Sequence, residues 1–335
     1  MTSQRRDVRK AVYTPQEVST LGLSEIRRAE MNRSRVVPLH VPIIDDYFYA
    51  LRPGEICAVQ AQTHNFKSGF ISAWEAFLAE ELVRAGREDE IIIHVDFETV
   101  IEQQAAGLYT RYTGLPVASI MRGDFVDWGL LLAKEPQVAS TPIFRIGVSL
   151  GREGFDFEDM YLANVFSAID YIIGDNNAVL GRPLTVAAIF LDYLQAFPFD
   201  PTVARAPIEM QRRLQVREDV YRCRSAAKRY NCPIVVGLQA KQHLEGIPHK
   251  NLLIPGIYDG KETSDIGERF DRIISLWLPK TTHAIGEFLE YPEGSFLVTE
   301  SIAWVRVNKQ RGGMPSGRYW MVDIDYTTGN MTVIT

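Results

Sequence analysis

Cysteine is scarce in this chain: 335 residues contain three, Cys57, Cys223 and Cys232, and no two of them stand in C-x-x-C spacing. That excludes a disulfide scaffold and a cysteine-based metal knuckle, and it reads as reduced, buried thiols in a cytoplasmic protein. Nor is there a run of about 18 apolar residues, so no membrane-spanning helix and no membrane partner are expected. The opening MTSQRRDVRK lacks the apolar stretch a secretory signal needs. Hydrophobic residues make up 46% of the chain, enough for the core of one large α/β domain with an extra segment.

An excess of negative charge is missing from the first tenth of the chain. The net charge is −6, yet residues 1–36 carry eight basic side chains against four acidic ones, a balance of +4 that leaves −10 for the remainder. A basic arm meets nucleic acid or an acidic neighbour, or it is a solvated tail. The acidic body argues against tight, static coating of DNA but allows a locally basic pore. Within the arm, Pro15 with Gln16-Glu17 suggests a capped start, and Ser24–Met31 reads as a short helix. That helix docks on an adjacent subunit or stays loose.

Glycine is absent between Gly54 and Gly69. There an apolar run, Ile56–Val59, enters a polar turn, Gln62–Asn65, that ends in Lys67-Ser68. Phe70, Ile71, Trp74, Phe77, Leu78 and Leu82 follow at helical spacing. Strand, turn ending in Lys-Ser, then helix is the setting of a phosphate-binding loop: helix-terminal N–H groups face an anion, a lysine reaches the β- and γ-phosphates, and a hydroxyl holds Mg²⁺. A surface turn before an ordinary helix has the same outline. In the pattern G-x-x-x-x-G-K-[ST] the first glycine falls on Ala61 and the second on Phe66. A bulky residue held at positive φ there is strained by roughly 1–2 kcal/mol.

Further along, Ile91–Asp96 is a continuous apolar run that delivers Asp96 and Glu98 to its end, with Phe97 on the opposite side by period-2 alternation. Glu98 is placed for chemistry, or it caps a helix beginning near Thr99. Leu108–Pro142 reads as mostly helical, Ile143–Val148 as a strand and Phe157–Ile173 as a helix. Val186–Asp192 is an apolar strand closing on aspartate, where a carboxylate holds the Mg²⁺ hydration shell beside a phosphate loop, or serves a turn. Phe197–Ile208 is a loop, and Glu209–Tyr230 a helix rich in arginine, either a solvated face or a subunit or nucleic-acid surface. Pro233–Leu238 is a buried strand ending in Gln239. The connection His243–Gly267 is long enough to be functional or mobile. Arg272–Leu278, Ile302–Asn308, Tyr319–Ile324 and Met331–Ile334 are further strands, and Lys309 and Arg311 stand at the base of a hairpin.

Taken in order, IDDYFYALRPGE, QTHNFKS, VDFET, IFLDYLQ, VVGLQAKQHLEG, SDIGERFD and NKQRGG resemble the successive motifs of the C-terminal ATPase domain of DnaB-type replicative helicases. The resemblance runs over roughly residues 37–330, and DYLQ and KQRGG are its specific pieces. It implies an α/β RecA-like P-loop NTPase fold over residues 37–335, with a mostly parallel central sheet flanked by helices and C-terminal antiparallel strands. Residues 1–36 would be a basic arm or linker helix in place of the globular collar with which bacterial members recruit primase. By the same resemblance, Gln62, Thr63, His64, Asn65, Phe66, Lys67 and Ser68 form the nucleotide loop, with ATP as substrate. Ser68 and Asp192 hold Mg²⁺, Glu98 activates the attacking water, and Gln239 reads the γ-phosphate. Lys309 and Arg311 reach the next subunit's nucleotide. Pore loops from Phe197–Ile208 and His243–Gly267 touch the backbone of single-stranded DNA, with Lys241, His243 and Lys250 as candidates. The implied partners are single-stranded DNA, further copies of the chain in a ring expected to be a hexamer, and a replication loader or primase. Two other readings stand beside a DNA-translocating ATPase: a helicase-derived ring or filament acting as a scaffold with little or no turnover, and a RecA-like recombinase.

Overall fold

The computed structural model describes residues 13–124, 127–150, 157–180, 183–201, 208–241, 252–261, 266–291, 294–311 and 317–334. The chain divides into two units, Met1–Val36 and Val37–Thr335. In the first, α1 (Pro15–Met31) is one helix of 17 residues and not the short Ser24–Met31 segment expected. A capping box starts it early. The Glu17 N–H donates to Thr14 Oγ1 at 3.3 Å while the Glu17 carboxylate accepts from the Thr14 N–H at 2.6 Å. Pro15 supplies the preset φ of a first helical position.

The second unit runs α2 (Pro42–Phe48), β1 (Ile56–Ala61), α3 (Lys67–Arg84), β2 (Glu90–Asp96), α4 (Ile101–Thr113), α5 (Val117–Arg122), α6 (Trp128–Ala139) and β3 (Ile143–Gly147). It continues with α7 (Leu162–Leu180), β4 (Thr185–Asp192), α8 (Ile208–Tyr230), β5 (Ile234–Gln239) and β6 (Arg272–Trp277), then β7 (Phe288–Tyr291), β8 (Gly294–Leu297), β9 (Ile302–Gln310), β10 (Arg318–Ile324) and β11 (Met331–Val333). Among the described residues nine strands form one sheet in the order β11-β10-β9-β6-β1-β5-β4-β2-β3. From β6 to β3 all pairings are parallel. The last three strands are added antiparallel.

Alternation along β1 builds a core on each face of the sheet. Cys57, Val59 and Ala61 pack with Phe70, Ile71, Trp74 and Leu78 of α3. Ile56 and Ala58 pack with Leu162, Val165 and Ile169 of α7 and Val216, Val220 and Cys223 of α8. Strands covered on both sides must be largely apolar, which is why β1, β2, β4 and β5 read as hydrophobic runs, interrupted inside by the buried Gln60 of β1 and His94 of β2. All three cysteines are buried thiols outside any disulfide, and burial pushes the Cys57 and Cys223 thiols upward in pKa.

The β7–β8 hairpin is a separate two-stranded sheet that the sequence pattern did not announce. Its Leu289 and Phe296 pack with Trp277 and Trp304 in a satellite core. The arginine-rich helix also differs from a plain basic surface: Arg222, Arg224 and Arg229 pair with Asp200, Asp271 and Asp170. Arg212 donates to the Phe197 and Gln195 carbonyls.

Candidate nucleotide site

Because β1, β2, β4 and β5 are parallel, their carboxyl ends gather on one edge, where open α/β sheets bind ligands. Ala61 stands beside Gln239 in register, and Asp96 beside Asp192. The loop after Ala61 curls into α3, whose first residue is Lys67. Phe66, at the helix cap, has φ 59° and ψ 19°, and His64 has φ 64°. Two non-glycine residues in the left-handed region cost about 1–3 kcal/mol each and persist only where surroundings over-determine them.

Those surroundings are visible. The Phe66 ring lies over Gly69, where an added Cβ would run into three ring carbons, and meets Tyr326 edge-on with centroids 5.2 Å apart. Thus the glycine missing from position 66 has a counterpart one helical turn later that leaves space for the ring. Ala61 ends β1 as an ordinary strand residue without positive φ.

A cavity of about 340 Å³ on this edge is lined by Gln62, Thr63, His64, Asn65, Phe66, Lys67 and Ser68 together with Glu98, Tyr193 and Gln239. Lys67 Nζ contacts Asp192 Oδ1 and sits 4.4 Å from the Tyr193 ring centroid. Burial raises the Tyr193 phenol, and the Glu98 and Asp192 carboxylates add to it, so the ring stays neutral beside the lysine. Asp96 caps the turn that follows β2, accepting from the Glu98 and Thr99 N–H groups at 2.8 and 3.1 Å. Burial pushes Asp96 above the usual carboxylate range against those two bonds, and Asp192 pushes the same way. This cap bends the chain so that Phe97 packs with Phe157 and Phe197 while Glu98 borders the cavity. The helix beyond begins at Ile101 with no side-chain cap, so Glu98 does not cap it.

Gln239 is held from three directions. Its Nε2 donates to Thr63 Oγ1 at 2.6 Å, its Oε1 accepts from Lys261 Nζ at 3.3 Å, and its main chain exchanges hydrogen bonds with the Gln195 side chain. Thr63, expected in the nucleotide loop, and Gln195, the last residue of DYLQ, are therefore supports of Gln239; the sequence reading gives Gln195 no role of its own, and the only signal for one is its place three residues after Asp192. Gln62 Nε2 donates to the Lys241 carbonyl at 3.1 Å, placing Lys241 near the loop. Its ammonium is exposed and lies 3.5 Å from the Tyr258 carbonyl. His243 and Lys250 lie outside the described residues, as do residues 202–207, 312 and 313.

Lys309 and Arg311 are not in this cavity. β9 is antiparallel to β6, with Arg272 opposite Gln310, whereas the loop follows the other end, where Ala61 pairs Leu276. Four strand residues at about 3.3 Å each, roughly 13 Å, separate the two ends before either loop is counted. Lys309 Nζ donates to the Gly267 and Glu268 carbonyls at 3.2 and 2.5 Å, and burial, with Arg311 nearby, lowers its pKa. Arg311 is 52% exposed and pairs with Asp271 at 3.0 Å, a carboxylate shared with Arg224.

The donor set suits Mg²⁺. Among the described residues no three His, Cys, Asp or Glu side chains are gathered as a metal site. Asp192, 3% exposed, and the Ser68 hydroxyl at the same edge offer hard oxygens for an ion that keeps most of its waters.

A mostly parallel sheet with a lysine-bearing loop after β1, acids closing β2 and β4, and antiparallel strands appended beyond β6 is the RecA-like helicase fold. Many solved structures share it, the following two among them. One, described as an ATPase domain, superposes with a TM-score of 0.69 at 17% identity, over 97% of this chain and 100% of that one. The other, a DnaB-like replicative helicase studied with its primase interactions, gives 0.67 at 16% identity over 96% of this chain and 67% of that one. No family model and no curated protein matches the chain. The chain thus has the fold of DnaB-like helicase ATPase domains.

Proposed function

We propose that this protein is an ATP-driven motor of the DnaB helicase type, hydrolysing ATP between subunits of a ring, expected to be a hexamer, and moving on single-stranded DNA. One observation carries the reading: Lys67, Ser68, Asp192, Glu98 and Gln239 converge at one edge of the sheet, while Lys309 and Arg311 stand at the opposite end of β6. A single copy therefore holds only part of a site, and a second copy stacked head-to-tail would complete it.

In that arrangement Lys67 moves from Asp192 to the phosphates and neutralises their oxygens. Ser68 and Asp192 would hold Mg²⁺, which supplies charge neutralisation for the β- and γ-phosphates. Glu98 orients the attacking water and takes its proton. Gln239 senses the γ-phosphate end of the ligand and passes its position to Thr63 and Gln195. Arg311, exposed and steadied by Asp271, neutralises charge developing at the neighbour's phosphate. Residues 1–36 serve as an arm distinct from the ATPase domain at 37–335; α1 buries none of its side chains and offers Val18, Leu21 and Ile26 to a neighbouring copy. A loader or primase is a further partner, in line with the primase interactions of the second related structure.

The scaffold reading, a ring or filament without turnover, draws on the two left-handed non-glycine residues of the loop. ATP hydrolysis by the purified protein, with and without single-stranded DNA, separates the two. Turnover abolished by Lys67→Ala and by Arg311→Ala, and partly restored by mixing Arg311→Ala with Glu98→Gln subunits, supports the shared-site motor. Oligomers with no turnover leave the scaffold.

A further inference from the structure

A loop with His64 and Phe66 at positive φ, and no glycine from residue 55 to residue 68, cannot take its shape from backbone freedom. Asn65 lies between these two residues and is 2% exposed in an otherwise polar, surface-facing turn. Its Oδ1 accepts from the Leu278 N–H at 2.7 Å, and its Nδ2 donates to the Thr63 carbonyl at 3.1 Å. Its own N–H donates to the Gln62 carbonyl at 3.3 Å. The Thr281 hydroxyl lies 3.2 Å from the same Oδ1 but 2.7 Å from the Leu278 carbonyl, so its single proton goes chiefly to the latter. The Leu278 N–H is the main tie.

Leu278 directly follows β6, the in-register neighbour of β1, and is itself buried. Both ends of the Asn65 amide are therefore spent inside the protein, one on the loop and one on the next strand. We propose that Asn65 is a positioning residue: its side chain holds the phosphate loop in its ligand-ready shape from the end of β6 and does not itself touch the nucleotide. This rests on the nucleotide reading above and refines it, since Asn65 counted there among the loop's binding residues.

The test uses the full chain and three readouts: amide hydrogen exchange of residues 62–66 without ligand, Mg-ATP binding by calorimetry, and the split between kcat and KM. Asn65→Ala leaves the buried Leu278 N–H without a partner, so loop exchange should quicken about tenfold or more, and Kd and KM for Mg-ATP should rise about 10- to 100-fold. The value of kcat should stay within about threefold, because Glu98, Asp192 and Gln239 are held at the ends of β2, β4 and β5 and not by the loosened loop. Asn65→Asp keeps the acceptor for the Leu278 N–H but loses the bond to the Thr63 carbonyl, so its exchange should be slower than that of Asn65→Ala without reaching the wild-type rate. Thr281→Val should change every readout by less than about threefold, since it removes the weaker contact.

Unchanged exchange in Asn65→Ala with binding lost would overturn the proposal and make Asn65 a ligand contact. Faster exchange with binding and KM unchanged would overturn it too, because the held shape would not be the binding shape. If the wild type binds no Mg-ATP yet Asn65→Ala still loosens the loop, the nucleotide reading fails and the tie from β6 stands.

Discussion

The inner face of α3 carries Glu75, 1% exposed, opposite His94 of β2 and Arg145 of β3. Arg145 Nη2 lies 2.8 Å from one carboxylate oxygen and His94 Nδ1 2.5 Å from the other, and Arg145 Nη1 donates to Gln104 at 2.8 Å. Burial alone would raise the Glu75 pKa, but Arg145 and His94 outweigh it and hold the group down to about 2. Against an ordinary value of 4.5, a depression of that size corresponds to about 3 kcal/mol of stability at neutral pH. The folded value is lowered, so this stability is present above about pH 4.5 and is lost as pH falls from there toward 2. Arg145→Met keeps an unbranched stem of apolar atoms and removes the charge. Urea unfolding at pH 8 should show a loss of about 3–5 kcal/mol, the usual consequence of stranding a buried carboxylate. The loss should shrink as pH approaches 4, because burial then favours the protonated acid. Adding Glu75→Gln to Arg145→Met should recover about 2 kcal/mol or more of the loss, since both charges are then gone. A single variant within about 0.5 kcal/mol of wild type, or a loss that does not vary with pH, would refute the claim that Arg145 neutralises Glu75.

Other outcomes follow from the same kind of reasoning. Gly69→Ala should destabilise the domain by about 1–3 kcal/mol and weaken Mg-ATP binding, because the new methyl meets the Phe66 ring; paired with Phe66→Gly it should be tolerated, as thermal unfolding of both variants will show. Asp219 of α8 is 1% exposed and burial pushes its pKa up to about 7. Against an ordinary value of 3.8, the raised folded value costs stability as pH climbs from about 4 to about 7 and costs it in full above that, so Asp219→Asn should raise Tm most at pH 8, less at pH 5, and leave it nearly unchanged below about pH 4. Thr14→Ala removes the capping box of α1 and should cost its first turn about 1 kcal/mol, read as faster exchange of the Glu17 and Val18 amides.

Much of the parallel sheet was legible because a strand covered on both faces has to be mostly apolar: IIIHVD, VAAIFLD and PIVVGL announce themselves, and Asp96, Asp192 and the Gln239 that follows PIVVGL fall at the same edge. The order of motifs then separated this chain from other parallel-sheet proteins. Asn65 was not legible in its present role, because its partner is a backbone N–H 213 residues away. Asp96 looked equivalent to Glu98 by alternation, yet it closes a turn, since a carboxylate two and three residues ahead of free N–H groups satisfies them locally. The β7–β8 hairpin escaped notice because Phe288–Leu297 is too short and mixed in polarity for a period-2 signal, and its stability derives from tryptophans elsewhere in the chain. In α1 the capped start at Pro15 was legible but the helix was read from Ser24, nine residues late, because Gly22 and the exposed polar face broke its pattern.

The pairing of Phe66 with Gly69 also constrains the routes by which this loop can change. With glycine at 66 the space over position 69 is open, so a side chain there meets no ring. With phenylalanine at 66, only glycine fits at 69 without displacing the ring. Single substitutions can therefore carry the loop between its present form and a glycine-rich one in one order only: position 66 must lose its ring before position 69 gains a side chain, and in the opposite direction position 69 must become glycine first. Of the two direct two-step routes between the forms, only the one through glycine at both positions avoids the clash between a side chain at 69 and the ring at 66.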